Sequence, residues 1–126
     1  MKVLVCLALS LCALSFAAEK LRLTREQLKE YDGTNGKTYL ACGGIIFDVS
    51  ESPSYAKGGG YSMFAGRDAS VSLAKMSFDK KLLDMTVEEA ELTEGQKESI
   101  EGWVEFYTEK YPIVGELVTS QHREDI

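Results

Sequence analysis

The chain has 126 residues and a net charge of −6 at pH 7, with 20 acidic side chains against 14 lysines and arginines. This length suits one ordinary domain with a single modest core and leaves no room for a second domain. The acidic surplus argues against nucleic acid as a partner, and no basic amphipathic helix is visible that would bind an anionic membrane.

The first 18 residues are typical of a targeting segment rather than of folded structure. Lys2 supplies a positive charge, and Val3 to Ala18 follow without any charged residue. A membrane helix needs about 20 apolar residues, whereas a shorter run that ends in small residues suits signal peptidase. We therefore expect residues 1–18 to be a signal peptide, cleaved after Ala17 or Ala18, and the alternative is an uncleaved anchor. The protein is then secreted, or it lies in the endoplasmic reticulum lumen or on the luminal side of a membrane.

The cysteines exclude an internal disulfide. Cys6 and Cys12 lie in the targeting segment, so Cys42 is the one cysteine left, and without residues 1–18 the net charge is −7. Cys42 follows the apolar residues Tyr39-Leu40-Ala41, and we expect it to be buried, with pairing to another chain as the alternative. A zinc site is excluded as well, because one cysteine and the single histidine, His122, cannot supply four ligands.

A helix and a hairpin are the first elements predicted after the signal peptide. Thr24 and Gln27 have the spacing of a capping box, which marks the start of a helix. Gly43-Gly44 suits a tight turn between two short strands, 37–42 and 45–49. The helix is expected to end at Asp32-Gly33, with an apolar face made of Leu21, Leu23, Leu28 and Tyr31.

A loop rich in serine, glycine and proline is predicted over residues 50–60, with Tyr55 and Tyr61 at its ends. Two short helices are expected to follow it, over residues 61–65 and 68–76, the second with Asp68 as its N-cap. A further turn is expected over residues 79–83, and the acidic residues 87–91 are interpreted as solvated surface.

The clearest predicted helix begins at the capping box of Thr93 and Gln96 and ends before Pro112. One face carries its apolar residues, of which we expect Trp103 and Phe106 to be core: Ile100, Trp103, Phe106, Tyr107 and Lys110 or Tyr111. A last strand is predicted over 113–118. The domain therefore covers residues 19–118, residues 119–126 form a polar tail, and the mixture of short helices and strands indicates the α+β class.

No constellation of catalytic residues is visible. The histidine lies in the tail and Cys42 is expected to be buried, which removes the usual pairs of nucleophile and base. The run Lys57-Gly58-Gly59-Gly60 lacks the spacing of a phosphate-binding loop. We therefore expect that the protein is not an enzyme.

A ligand site is indicated by residues 55–70, where two tyrosines flank a run of glycines. Glycines let the backbone approach a planar ligand closely, and Met63 and Phe64 follow as an apolar patch. A ligand with carboxylates also needs cations, and four are available: Lys57, Arg67, Lys75 and Lys110.

Several ordered motifs resemble one known family. They are Leu23-Thr-Arg-Glu-Gln-Leu-Lys-Glu-Tyr-Asp-Gly33, Ile46-Phe-Asp-Val-Ser50, Phe64-Ala-Gly-Arg-Asp-Ala-Ser70 and Lys110-Tyr-Pro-Ile-Val-Gly115. Together they resemble the membrane-associated progesterone receptor family, which includes the secreted protein neudesin. The resemblance covers about residues 21–117 and implies the cytochrome b5-like haem/steroid-binding fold.

The resemblance also implies a haem held through tyrosinate. The iron-ligand position of the family falls on Tyr61, and the positions that assist it fall on Tyr55, Lys110 and Tyr111. A phenol with a pKa near 10 becomes a good ligand when a ferric ion and nearby cations stabilise its anion, and Lys110 is such a cation. We therefore expect ferric haem b, a low reduction potential, and binding rather than rapid electron transfer.

Other interpretations stay open at this point. Tyr61 and Tyr55 could simply anchor the loop, Lys110 and Tyr111 could close the helix, and Arg67 could fix a turn. A haem-mediated homodimer follows from the resemblance alone. The competing functions are an extracellular signalling or protein-interaction factor with an extracellular or membrane protein partner, and a binder of a steroid-like apolar small molecule.

Overall fold

The computed structural model describes residues 20–119. The expected signal peptide, residues 1–18, and residues 120–126 of the expected tail lie outside the described residues. Between residues 20 and 119, no helix combines the length and the apolar composition that a membrane crossing requires.

A four-stranded mixed sheet forms the centre of the fold. Its strands are in the order β1-β4-β3-β2, with β1 parallel to β4 and the other neighbours antiparallel. The hairpin of β2 and β3 is confirmed: Gly43 and Gly44 both have positive φ, as the favoured two-residue turn requires. The strands are β1 Leu21–Leu23, β2 Tyr39–Cys42, β3 Ile45–Asp48 and β4 Ile113–Leu117.

The prediction that Leu21 and Leu23 belong to the first helix is wrong. Both residues lie in β1, where Leu21 pairs with Gly115 and Leu23 pairs with Leu117. The helix begins only after Thr24, whose side chain accepts from the Gln27 backbone N–H in the predicted capping box. Pairing with a distant strand thus overrides the local helical spacing of the two leucines.

Within residues 20–119, four α-helices and three short 3₁₀ turns surround the sheet. The helices are α1 Arg25–Leu28, α2 Ser70–Lys75, α3 Val87–Ala90 and α4 Glu94–Lys110. The capping box that begins α4 at Thr93 is confirmed. The expected solvated surface at residues 87–91 is confirmed for Glu88 and Glu89, which are exposed, and helix α3 with its capping box between Thr86 and Glu89 was not predicted. The 3₁₀ turns are Lys29–Tyr31, Ser62–Phe64 and Lys80–Leu82.

Asp68 does not cap α2 as predicted, because the N-cap residue is Ala69. The Asp68 carboxylate instead accepts hydrogen bonds from the Ser70 backbone N–H and hydroxyl, at 3.1 and 2.7 Å. Its other oxygen accepts from the Arg25 guanidinium at 2.9 Å. Asp68 is only 3% exposed, so this buried charge is neutralised by a partner from α1.

Two separate cores lie on the two faces of the sheet, because alternate strand residues point to opposite faces. The larger core contains Leu40, Cys42 and Phe47, together with residues of α2 and α4. The smaller core contains Tyr39, Ala41, Ile46, Leu23 and Leu28. The expected burial of Cys42 is confirmed, and burial raises the pKa of its thiol to about 12.

Candidate functional site

A groove of about 550 Å³ opens between the loop of residues 50–60 and helix α4, over the larger core. All four predicted site residues line it. The loop side contributes Tyr55, Tyr61 and Phe64, and the helix side contributes Trp103, Phe106, Tyr107, Lys110 and Tyr111. The structure therefore brings together residues that lie about 40 to 56 positions apart in the chain.

The glycine run folds the loop back on itself. The Tyr61 backbone N–H donates to the Ser54 carbonyl at 2.8 Å, which places the Tyr61 ring centroid 5.9 Å from that of Tyr55. A Cβ at Gly59 would lie 2.3 Å from the Pro53 carbonyl oxygen, so only glycine permits this return. Residues 58–60 are not among the residues that line the groove, so the close approach of the glycine backbone to a ligand stays a prediction.

Tyr61 lies at the rim of the groove and is 44% exposed. Its ring stacks on Phe64, with centroids 6.1 Å apart and planes at 6°, and Phe78 packs 5.8 Å from it. These two rings restrict the orientation of the Tyr61 side chain without enclosing it. Tyr61 thus combines a supported position with access from solvent, as an open ligand position requires.

A pair of buried tyrosines lies deeper in the groove. The Tyr55 and Tyr107 hydroxyl oxygens are 2.7 Å apart, and the two residues are 6% and 1% exposed. Burial raises the pKa of both phenols, so both are neutral near pH 7. Sequence reasoning interpreted Tyr107 only as part of an apolar face. The sequence signal for a polar role was the hydroxyl itself, because a tyrosine hydroxyl at a buried helical position needs a hydrogen-bond partner.

The end of α4 supplies the cation of the groove. The Lys110 ammonium lies 5.3 Å from the centroid of the Phe106 ring, which holds it by a cation–π contact. Tyr111 contacts Tyr55 edge to face, with ring centroids 6.2 Å apart. Of the four cations considered, only Lys110 lines the groove, and Arg67 fixes a local structure by pairing with Asp84 at 2.7 Å.

The prediction that Trp103 and Phe106 are core residues is wrong for Phe106, which is 44% exposed. Trp103 is partly buried and packs against the larger core, and both residues line the groove. Their rings meet edge to face with centroids 5.7 Å apart. Gly102 of α4 lines the same wall, and no atom lies within 4 Å of the position that a Cβ would take there.

The donor set fits a haem better than a free metal ion. Within residues 20–119, no group of three or more histidine, cysteine, aspartate or glutamate side chains could hold a metal. A metal bound through the Tyr61 phenol must therefore bring other ligands with it, as the iron of a porphyrin does. Aromatic walls and the nearby ammonium of Lys110 are suited to the flat apolar face and the carboxylates of such a group.

Comparison with known proteins also points to a haem- or steroid-binding domain. Residues 24–118 match the family model described as "Cytochrome b5-like Heme/Steroid binding domain". The chain is 40% identical over 102 residues to "Probable steroid-binding protein 3" of Arabidopsis thaliana, covering 79% of this chain and 100% of that one. It is 43% identical over 96 residues to human "Membrane-associated progesterone receptor component 2", covering 74% of this chain and 43% of that one.

The fold agrees with a solved structure from Arabidopsis thaliana that is described as having a cytochrome b5-like fold. The TM-score is 0.72 at 38% sequence identity, over 81% of this chain and 94% of the other. The chain thus spans the whole of its plant relative but less than half of the human one. The predicted fold and resemblance are confirmed, and the chain belongs to the cytochrome b5-like haem/steroid-binding domain family, among the membrane-associated progesterone receptor and steroid-binding proteins.

Proposed function

We propose that this protein binds ferric haem b without catalysing a reaction, and that Tyr61 is the iron ligand. The observation that carries the proposal is the position of Tyr61, a partly exposed phenol fixed by Phe64 and Phe78 at the mouth of an aromatic groove. No imidazole is present in the sequence before His122, so a phenol is the available strong ligand beside this groove.

Each wall of the groove has a distinct part in this function. The rings of Trp103 and Phe106 exclude water from one side, and Phe64 does so from the other. The Lys110 ammonium lines the groove and can pair with a carboxylate of the ligand. The haem, when bound, supplies a ferric centre, and a hard anionic oxygen favours Fe(III) over Fe(II). Binding, storage or sensing of haem therefore suits the site better than rapid electron transfer.

A hemin titration of the purified protein tests the proposal. We expect a high-spin ferric spectrum with a phenolate-to-iron band for the natural protein and loss of that band in Tyr61→Phe. Tyr31→Phe is the matched control, because Tyr31 stacks on Tyr39 in the smaller core, on the other face of the sheet. A natural protein that shows only free-hemin absorbance, or an unchanged spectrum in Tyr61→Phe, would contradict tyrosinate ligation.

A steroid-like apolar small molecule is the second candidate ligand. The groove favours it because most of the lining side chains are aromatic or apolar. Competition between progesterone and hemin, followed by the visible spectrum, separates the two ligands. Displacement of hemin by progesterone would show that both ligands bind one site. Steroid binding without any hemin binding would show that the ligand is a steroid and not haem.

We also propose that the protein acts in the secretory pathway, secreted or in the endoplasmic reticulum lumen, and that haem occupancy promotes a homodimer. The apolar run of residues 3–18 supports the location, and the exposed rim of the groove leaves one side of a bound haem open to a second molecule. Secretion of the full-length chain from cells tests the first point. Sedimentation with and without hemin tests the second, and a monomer in both conditions contradicts it. The alternative is that the same exposed rim of the groove binds an extracellular or membrane protein partner.

A further inference from the structure

The Tyr107 hydroxyl is a polar group that the proposed function does not yet use. Tyr107 is 1% exposed and lies in α4, between Phe47 at 5.4 Å and Phe106 at 5.5 Å, measured between ring centroids. The Tyr55 hydroxyl is the hydrogen-bond partner that the structure gives it, at 2.7 Å. A phenol at this depth must place its single proton on an acceptor, because a buried unsatisfied donor costs about 1–3 kcal/mol.

Only one of the two phenols can donate in their shared hydrogen bond, and the other must direct its proton elsewhere. Both residues line the groove, and Tyr55 is 6% exposed against 1% for Tyr107 and lies beside the rim residue Tyr61. Within residues 20–119, no second hydrogen-bond partner appears for either hydroxyl, so either oxygen could be the donor on geometry alone. The deeper burial of Tyr107, packed against Phe47 and Phe106, favours Tyr107 as the donor.

We propose that Tyr107 is a positioning residue, whose hydroxyl donates to Tyr55 and so turns the Tyr55 proton toward the occupant of the groove. The floor of the groove then presents a fixed hydrogen-bond donor. This donor favours an acceptor oxygen close by, such as a Tyr61 phenolate that binds a metal or a ketone oxygen of the occupant, over a group that offers only a hydroxyl proton. The consequence for haem rests on the proposed function, whereas the direction of the Tyr107 hydrogen bond does not.

Burial raises the pKa of both phenols, so each keeps its proton near neutral pH and the shared hydrogen bond is one between two neutral hydroxyls.

The direction of the bond is measured first, on the ligand-free protein. Proton NMR at low temperature should show one slowly exchanging tyrosine hydroxyl proton assigned to Tyr107, which disappears in Tyr107→Phe and exchanges faster in Tyr55→Phe. Assignment of that proton to Tyr55 would overturn the proposal, and so would the absence of any protected hydroxyl proton. This result stands whether or not hemin binds.

The consequence for binding is measured by a double-mutant cycle with hemin as the probe. A hydrogen bond of about 1 kcal/mol corresponds to about fivefold in affinity, so Tyr107→Phe should weaken hemin binding about fivefold when Tyr55 is intact. In the Tyr55→Phe background, Tyr107→Phe should have no further effect, and only the intact background should show a shifted phenolate-to-iron band. Equal losses in both backgrounds would mean that Tyr107 acts by packing alone. Absence of hemin binding by the natural protein would count against the proposed function and leave the NMR result to decide the role of Tyr107.

Discussion

The two faces of the sheet use tyrosine pairs in different ways. On the smaller core, Tyr31 and Tyr39 stack with ring centroids 4.6 Å apart and planes at 11°, so they interact through their ring faces. On the larger core, Tyr55 and Tyr107 have centroids 6.5 Å apart and planes at 52°, and they meet through their hydroxyls. The first pair packs a core as phenylalanines could, whereas the second brings a polar group into an apolar groove. The larger core is therefore the side of the sheet on which we propose that the ligand binds.

The largest expected effect on stability comes from removing the Asp68 carboxylate, because its ion pair joins the two faces of the sheet. Its partner Arg25 belongs to α1, beside the smaller core, while Asp68 itself precedes α2 of the larger core. Asp68→Ala should lower the free energy of unfolding by about 3 kcal/mol in urea titrations, because it leaves a partly buried guanidinium without its carboxylate. Glu116→Ala is the control, since its pair with Arg22 is more than half exposed and should contribute less than about 1 kcal/mol. Equal losses of unfolding free energy in the two variants would show that the stability of the two cores does not depend on the ion pair of Arg25 and Asp68.

The next largest effect on stability comes from Cys42, a residue of the larger core, and this effect depends on pH. The folded protein keeps the thiol neutral, with a pKa raised to about 12, whereas the unfolded chain ionises near 8.5. This contribution to stability is complete below about pH 8.5 and is lost as the pH rises toward 12. Between pH 7 and 10, the free energy of unfolding should therefore fall by about 2 kcal/mol more in the natural protein than in Cys42→Ala. Parallel pH profiles of the two proteins would contradict the burial of the thiol.

Single hydroxyl deletions give the smallest effect and compare the two tyrosine pairs directly. Tyr107→Phe removes a buried hydrogen bond and should lower the free energy of unfolding by about 1 kcal/mol. Tyr39→Phe keeps the stacked ring and should change stability by less than about 0.5 kcal/mol. Thermal and urea unfolding of both variants measure the difference. A larger loss in Tyr39→Phe would reverse the assignment of polar and packing roles.

Local signals in the sequence predicted the elements that depend on neighbouring residues. The capping boxes at Thr24 and Thr93 set the start of α1 and α4, and Gly43-Gly44 set the turn of the hairpin. The same local signal is present at Thr86 and Glu89, where only a solvated acidic surface is predicted from the sequence. Charge on a short helix shows which face is solvated, and it does not argue against the helix.

Features that depend on distant residues could not be read in the same way. Leu21 and Leu23 form a strand only because β4 lies beside them, more than 90 positions away in the chain. Phe106 satisfies the spacing of a core residue, but the surface opposite it is a groove. The four site residues were predicted from motif resemblance, and their assembly was not visible locally. Tyr107 could have been suspected, since a tyrosine on a buried helical face brings a hydroxyl that phenylalanine would not.

Gly102 shows that the shape of the groove and the stability of its wall oppose each other. Glycine within a helix is about 1 kcal/mol less favourable than alanine, and the open space around Gly102 would accept a methyl group in the ligand-free protein. An alanine there should make the ligand-free domain more rigid while narrowing the groove that is available to a planar ligand. The longest helix within residues 20–119 is thus weakened at a position where a larger side chain would take space from the groove, which is the proposed ligand site.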